Sequence, residues 1–462
     1  MSALWNSADM EAATLGLATK PFEIGGLSID TRTLKPGDLF VALKGDARDG
    51  HEFVNAAFAA KAGGALVQRA IQDVPANAAL LTVANTQRGL EDMARASRAR
   101  SHAQIVAVTG SAGKTTTKEM LRLALGAIGG THVSVASYNN HWGVPLSLAA
   151  MPQNVAFGVF EVGMNHFGEI RALVDLVRPH VALVTTIVPA HLEFFETCDA
   201  IADAKSEIFE GIVSGGAALV PADSPYAERL RRRARQSHVS QILSFGRDAN
   251  CDARLLSVED SEDGTKVQSQ ILGREVHFRI GASGAHNAAN AVAALLAVEA
   301  LDGDVLNAAA ALSAFSALKG RGERFDLTVG SAHVRLFDES YNANPASMAA
   351  AIANLGTAQA TRRIAVLGDM LELGDESHAM HADLAEAIAD ARVDLVFLCG
   401  VQMAALWEKI PPSRRGAFGA KSADIVEPLL AALQDGDRVL VKGSFGSKMA
   451  VVVDALKSRA GD

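Results

Sequence analysis

Cysteine is scarce in this chain: Cys198, Cys251 and Cys399 lie far apart and show no metal-type spacing. That excludes a disulfide framework and fits a reducing cytosol. A basic excess is missing too. With 43 Lys and Arg against 52 Asp and Glu, the formal charge is −9, which argues against a nucleic-acid or anionic-membrane surface. The one basic cluster, Arg229, Arg231, Arg232, Arg233 and Arg235, reads as a solvated helix face. No apolar run approaches bilayer-spanning length. Met1 to Gly16 has neither a basic start nor a long apolar core, so no signal peptide is indicated. Repeats, low-complexity tracts and Ser-His-Asp or Cys-His nucleophile arrangements are also lacking. The expectation is a soluble cytoplasmic protein, a monomer, with no nucleic-acid or membrane partner.

What is present is an α/β texture. A length of 462 residues predicts about three domains, placed at 1–84, 85–317 and 318–462. The first mixes short strands and helices, with turns at Gly25-Gly26, Lys35 to Asp38 and Asp49-Gly50. Thr86 to Arg100 reads as a linking helix with Leu90, Met93 and Ala94 on one side. In the second, near-continuous apolar runs (Val155 to Phe160, Val181 to Val184) predict strands buried on both faces. Alternation between Asn250 and Ile280 suggests a small antiparallel insertion, followed by an Ala-rich helix from His286 to Leu301. The third segment repeats the parallel pattern. Its strands run toward Gly368, Gly400 and Gly443, a candidate second binding edge.

The densest signal is Ile105 to Thr117. An apolar strand enters the loop Gly110-Ser111-Ala112-Gly113, and Lys114-Thr115-Thr116 then opens a helix. Backbone N–H groups, a helix N-terminus and an ammonium around one point suit a polyphosphate. The Thr115 hydroxyl suits the Mg²⁺ that accompanies ATP. The loop is a shortened P-loop, because Val108 stands where the longer motif has glycine.

Other candidates cluster at strand ends. Glu161 closes a strand, where a carboxylate can hold Mg²⁺. His191 follows a buried strand in Ala190 to Glu193. Lys205, in a helical pattern from Cys198 to Phe209, reads from spacing alone as a surface lysine. Asn287 and Asn290 share one face of a helix's first turn, for either a base edge or a cap. Asp338 to Pro345 is too polar for core, and upstream of it either Arg321 or Arg324 could stabilise a transferring phosphoryl group.

Together these motifs resemble the Mur ligases of bacterial cell-wall synthesis, along essentially the whole chain. Ser111 followed by Lys118-Glu119, Asp338 to Pro345 and Gly368 to Gly374 resemble the branch that adds D-alanyl-D-alanine to a UDP-N-acetylmuramoyl-tripeptide. Asp30-Thr31-Arg32, Pro36 to Gly45 and Asp49 to His51 look like that group's UDP-precursor domain. The resemblance implies a mixed α/β N-terminal domain, a central ATPase with a parallel sheet and a Rossmann-like C-terminal domain. It implies ATP and Mg²⁺ as cofactors and an acyl-phosphate intermediate. By matching positions, Thr115, Glu161, His191 and a carbamylated Lys205 would serve the metal. Asn287 and Asn290 would contact adenine, Glu339 the ribose and Arg324 the γ-phosphate. Substrate would meet Ser28, Asp30, Thr31, Arg32, Lys44, His51, Asn139, Asn140, Tyr341 and Asn344. Several positions depart from the pattern: Glu339 for Asp, Thr186 for Asn, Phe194 and Glu196 for loop glycines. After Ser444 the usual Arg is replaced by Phe445.

Overall fold

The computed structural model describes residues 3–135, 137–190, 192–261 and 264–461. Three main sheets follow one another along the chain. The first has five short strands in the order Leu17–Ala18, Leu80–Thr82, Gly64–Val67, Asp38–Val41 and Gly26–Ser28, all parallel except the Leu17–Ala18 edge. Helix Thr86–Arg100 leaves this sheet with Leu90, Met93 and Ala94 fully buried, as its spacing predicts. It is tied back by Arg100, whose guanidinium lies 3.6 Å over the Trp5 ring.

The central sheet has nine strands. Gln104–Thr109 lies between Phe157–Glu161 and Val181–Val184, and all three are parallel. Their apolar side chains are buried on both faces by helices, which is why they read as continuous runs. The expected small antiparallel insertion is present and forms the edge of this same sheet. Ala253–Ser261 continues the sheet in parallel from Gln241–Gly246, and only Gly264–Ile271 and Arg274–Ile280 add to it antiparallel. Their alternation reflects a sheet edge with one covered face: Val267, Ile271, Val276, Phe278 and Ile280 pack under helix Ala285–Glu299.

The third sheet has six strands, Glu323–Val329, Ala332–Glu339, Asp437–Lys442, Arg362–Gly368, Leu395–Cys399 and Arg415–Gly419. It is parallel beyond its first hairpin. The carboxyl ends of its central strands face the carboxyl ends of the central sheet, so two ligand-binding edges meet across one cleft. Among the described residues no helix is long and apolar enough to cross a membrane.

Candidate active site

The glycine loop is built to lie flat against the strand ends. Gly110 has φ +148°, and a Cβ there would fall 1.9 Å from Thr185 Oγ1; Gly113, at φ +82°, caps the helix Lys114–Gly126. The Ser111 N–H donates to Thr186 O (2.8 Å) and the Val188 N–H to Ser111 Oγ (3.2 Å), clamping the loop to the neighbouring turn. Lys114 Nζ folds back to Gly110 O at 2.7 Å. Lys114 is half-buried, and desolvation first, with Arg321 adding to it and Glu161 opposing, pushes its pKa below the ordinary lysine value.

Sheet order then delivers Glu161 beside this loop. Register pairs Glu161 with Val108, and the carboxylate, 1% exposed, accepts from Thr115 Oγ1 and from Asn139 Nδ2, both at 2.8 Å. The Glu161 N–H reaches Ser134 Oγ at 3.2 Å, and fully buried Lys118 donates to Ser134 O at 2.9 Å. Hydroxyl and carboxylate oxygens form a hard donor pair that fits Mg²⁺. Among the described residues no three His, Cys, Asp or Glu converge on one point, so any ion there would draw further ligands from phosphate and water.

A cavity of about 320 Å³ opens over the loop, walled by Ser111 to Thr115, Asn139 and Glu161 on one side and by Arg321, Tyr341, Asn342 and Phe445 on the other. Arg321 stacks 4.0 Å over the Tyr341 ring, and Tyr341 Oη donates to Ser137 Oγ at 2.9 Å, across the cleft. A smaller cavity of about 90 Å³ is lined by Asn287, His286, Asp260, Arg324 and Glu339. Lys442, 3% exposed, braces Glu339 from behind at 3.4 Å and donates to Asn342 O at 3.1 Å. The two cavities share one helix: a Cβ on Gly113 would come within 3.0 Å of Asn290 Oδ1, one turn beyond Asn287. Asn287 itself donates back to Ser283 O at 2.7 Å, which ties the first turn to the preceding residue; it does not cap the helix, whose N-cap is Gly284.

The two arginines weighed from sequence part company. Gly322, at φ +96°, turns the chain between them. Arg321 remains over the phosphate loop, while Arg324 enters the hairpin strand and lies over Phe337, 5.5 Å away, in the smaller cavity. Arg324 is therefore not at the loop. The surface expectation for Lys205 also fails. The side chain is 1% exposed, because its helix Cys198–Ser206 is covered by Ala227–Gln236, where Arg229 binds Asp199 and Asp203. Among the described residues nothing accepts a hydrogen bond from Lys205 Nζ, and burial, reinforced by Lys114, holds its pKa well below that of free lysine. Within the arginine cluster, Arg229 and Arg233 face this helix, on Asp199, Asp203 and Ser206, while Arg232 and Arg235 are exposed. His191 lies outside the described residues.

A third cavity, about 730 Å³, is lined by Asp30, Thr31, Arg32, Phe40, Arg48, Tyr138 and Trp142. Three expected substrate residues stand behind its wall or beside it. Ser28 Oγ is spent on the Asp30 backbone; His51, 4% exposed, bridges Asp49 Oδ1 and the Gln68 N–H; Lys44 is exposed at the rim. The His51 backbone and side chain, with Arg69, hold the Asp49 carboxyl down to about 2. Asn344 caps helix Pro345–Thr357 through Ser347 and lines none of these three cavities. Asn140 turns its side chain onto the Trp142 and Gly143 N–H groups. Ser137 carries no motif signal, and Asn342 lies within the polar Asp338 to Pro345 stretch without having been singled out; the folded chain brings both to the cleft.

Three family models cover most of the chain: the Mur ligase family catalytic domain at 23–104, the Mur ligase middle domain at 108–298 and the Mur ligase glutamate ligase domain at 323–445. The chain belongs to the Mur ligase family. Its relatives include the UDP-N-acetylmuramoyl-tripeptide–D-alanyl-D-alanine ligases of Escherichia coli K12, 36% identical with 94% of each chain covered, and Bacillus subtilis 168, 34% identical over 98% of this chain and 97% of that one. A MurF crystal structure from Acinetobacter baumannii superposes with a TM-score of 0.85 at 31% identity, covering 98% of this chain and 99% of that one. The MurF ligase of Thermotoga maritima, solved with ADP, shares the fold at 24% identity and a TM-score of 0.77, covering 94% and 98%.

Proposed function

We propose that this Mur ligase joins D-alanyl-D-alanine to a UDP-N-acetylmuramoyl-tripeptide at the expense of ATP. The observation that carries the reading is the convergence of Lys114, Thr115 and Glu161 beneath Arg321, between a large N-terminal cavity and a cleft between two sheet edges. ATP would lie along helix Ala285–Glu299, its phosphates on the 110–115 loop and its nucleoside toward Asn287, Glu339 and Arg324. The uridine end of the donor would fill the cavity at Asp30 to Arg32, with Tyr138 and Trp142 directing the peptide onward.

In the first step the tripeptide's terminal carboxylate attacks the γ-phosphorus and ADP leaves. Two anions must approach each other, and the cations of Lys114 and Arg321 lower that repulsion. Thr115 and Glu161 would hold Mg²⁺, which supplies further neutralisation of the phosphates. In the second step the dipeptide amine attacks the acyl carbon, phosphate leaves and the amine loses a proton. This step needs water kept out, which closure of the two walls across the Tyr341–Ser137 bridge would achieve.

Lys205 fits the reading as a carbamate. Burial lowers the pKa of Lys205 and so favours its free amine, which can attack CO₂; an N–C bond forms, a proton leaves, and the neutral amine becomes a carbamate anion. ADP release is to be measured with UDP-tripeptide and either D-Ala-D-Ala or single amino acids. Turnover with the dipeptide supports the reading; turnover with a single amino acid only, or none with the dipeptide, overturns it.

A further inference from the structure

The phosphate cavity has a side branch of about 650 Å³, entered past Asn139, Gly163 and Asn165, which border both spaces. Its floor is apolar: Met164, Leu173 and Leu176 are 6%, 4% and 4% exposed. Its rim is charged. Glu91 and Arg95 stand one turn apart on helix Thr86–Arg100, and Asp175 faces them from helix Glu169–Val177. The wall between is fixed by Gln87, whose Nε2 donates to Glu91 Oε1 and to His141 O, both at 2.8 Å. Glu169 is already committed, accepting from the Asn165 N–H at 2.7 Å. The nucleotide's path, along the loop and helix Ala285–Glu299, does not use this branch.

We propose that the branch receives the side chain of the donor peptide's third residue, and that it selects a side chain ending in ammonium plus carboxylate over one ending in ammonium alone. This rests on the ligase reading above. The third residue carries the carboxylate to be phosphorylated, so its α-carbon lies at the phosphate cavity and its side chain must leave by an adjoining space. Methylenes lie on the Met164, Leu173 and Leu176 floor. Glu91 and Asp175 then meet an ammonium, and Arg95, which among the described residues pairs with Asp92 at 3.0 Å on the surface, meets a carboxylate. A carboxylate-free terminus leaves that guanidinium without its ligand.

The test uses UDP-tripeptides ending in meso-diaminopimelate or L-lysine and compares kcat/KM. The wild type should favour diaminopimelate by about tenfold or more, and Arg95→Ala should reduce that ratio toward one. Glu91→Gln and Asp175→Asn should weaken both substrates together, since both carry the ammonium. Arg95 and Asp175 are exposed, and Glu91→Gln keeps the shape of a half-buried side chain, so folding is not at risk. Absence of a preference in the wild type, or equal loss of both substrates in Arg95→Ala, overturns the proposal while leaving the ligase reading intact. Failure of the wild type with both tripeptides overturns the ligase reading instead.

Discussion

The two walls of the cleft are made differently. The wall from the central sheet is buried and cross-braced: Glu161 is 1% exposed and held by two side chains and a backbone bond, and the loop is stitched to Thr186 and Val188. The wall from the C-terminal sheet is open. Phe445 is 74% exposed, Tyr341 reaches across on one hydrogen bond, and Arg321 is placed by stacking. A rigid grip on phosphate opposite an adjustable wall suits a reaction whose first partner stays fixed while intermediates change.

Removing a cation from the rigid wall should therefore hurt most. Lys114→Ala should lower kcat/KM by about 10³-fold in an ADP-release assay; a loss below tenfold would mean the loop is not where phosphate is stabilised. The same ammonium gives a proton signature. Burial lowers its pKa, so between that lowered value and the ordinary lysine value the unfolded chain binds more protons and stability rises with pH. A bound triphosphate reverses the shift. At alkaline pH nucleotide binding should take up protons, seen by calorimetry in buffers of different ionisation enthalpy, and Lys114→Ala should abolish the uptake.

Next comes Glu161→Gln, which keeps the shape and removes the charge. It should cost about 10²-fold and raise the Mg²⁺ concentration needed for half-maximal rate. An unchanged Mg²⁺ requirement would separate the carboxylate from the metal.

How much of each wall was legible in sequence follows from the same contrast. Strand, glycine turn and Lys114 are contiguous, so local pattern sufficed, and Glu161 needed only the end of the next buried run. The open wall is assembled from residues 321, 341 and 445, which no spacing rule connects. Lys205 was misread because its cover comes from a different helix, whose arginines themselves looked solvated. Asn344 and His51 sit inside telling motifs, yet one caps a helix and the other props a turn, since motif polarity marks a backbone's needs as readily as a ligand's.

Against the rigid wall, Tyr341→Phe tests the open one. It removes the bond to Ser137 and keeps the ring under Arg321, so kcat/KM should fall only about three- to tenfold. The loss should appear with added dipeptide more than in ATP affinity. A drop as large as that of Lys114→Ala would make the two walls equals.

The smallest effect separates support from contact on that open wall. Asn344 accepts from the Ser347 N–H at 2.8 Å, and Ser347 Oγ accepts in return from the Asn344 N–H at 3.0 Å, closing a capping box beneath Tyr341. Asn344→Ala should cost about 1 kcal/mol in denaturant unfolding. Asn344→Asp, an equally good cap, should restore both stability and rate, because only the cap is at stake. If Asp restores stability but turnover with the UDP-tripeptide stays low, the amide itself touches substrate, and the open wall holds more of the recognition than its few contacts suggest.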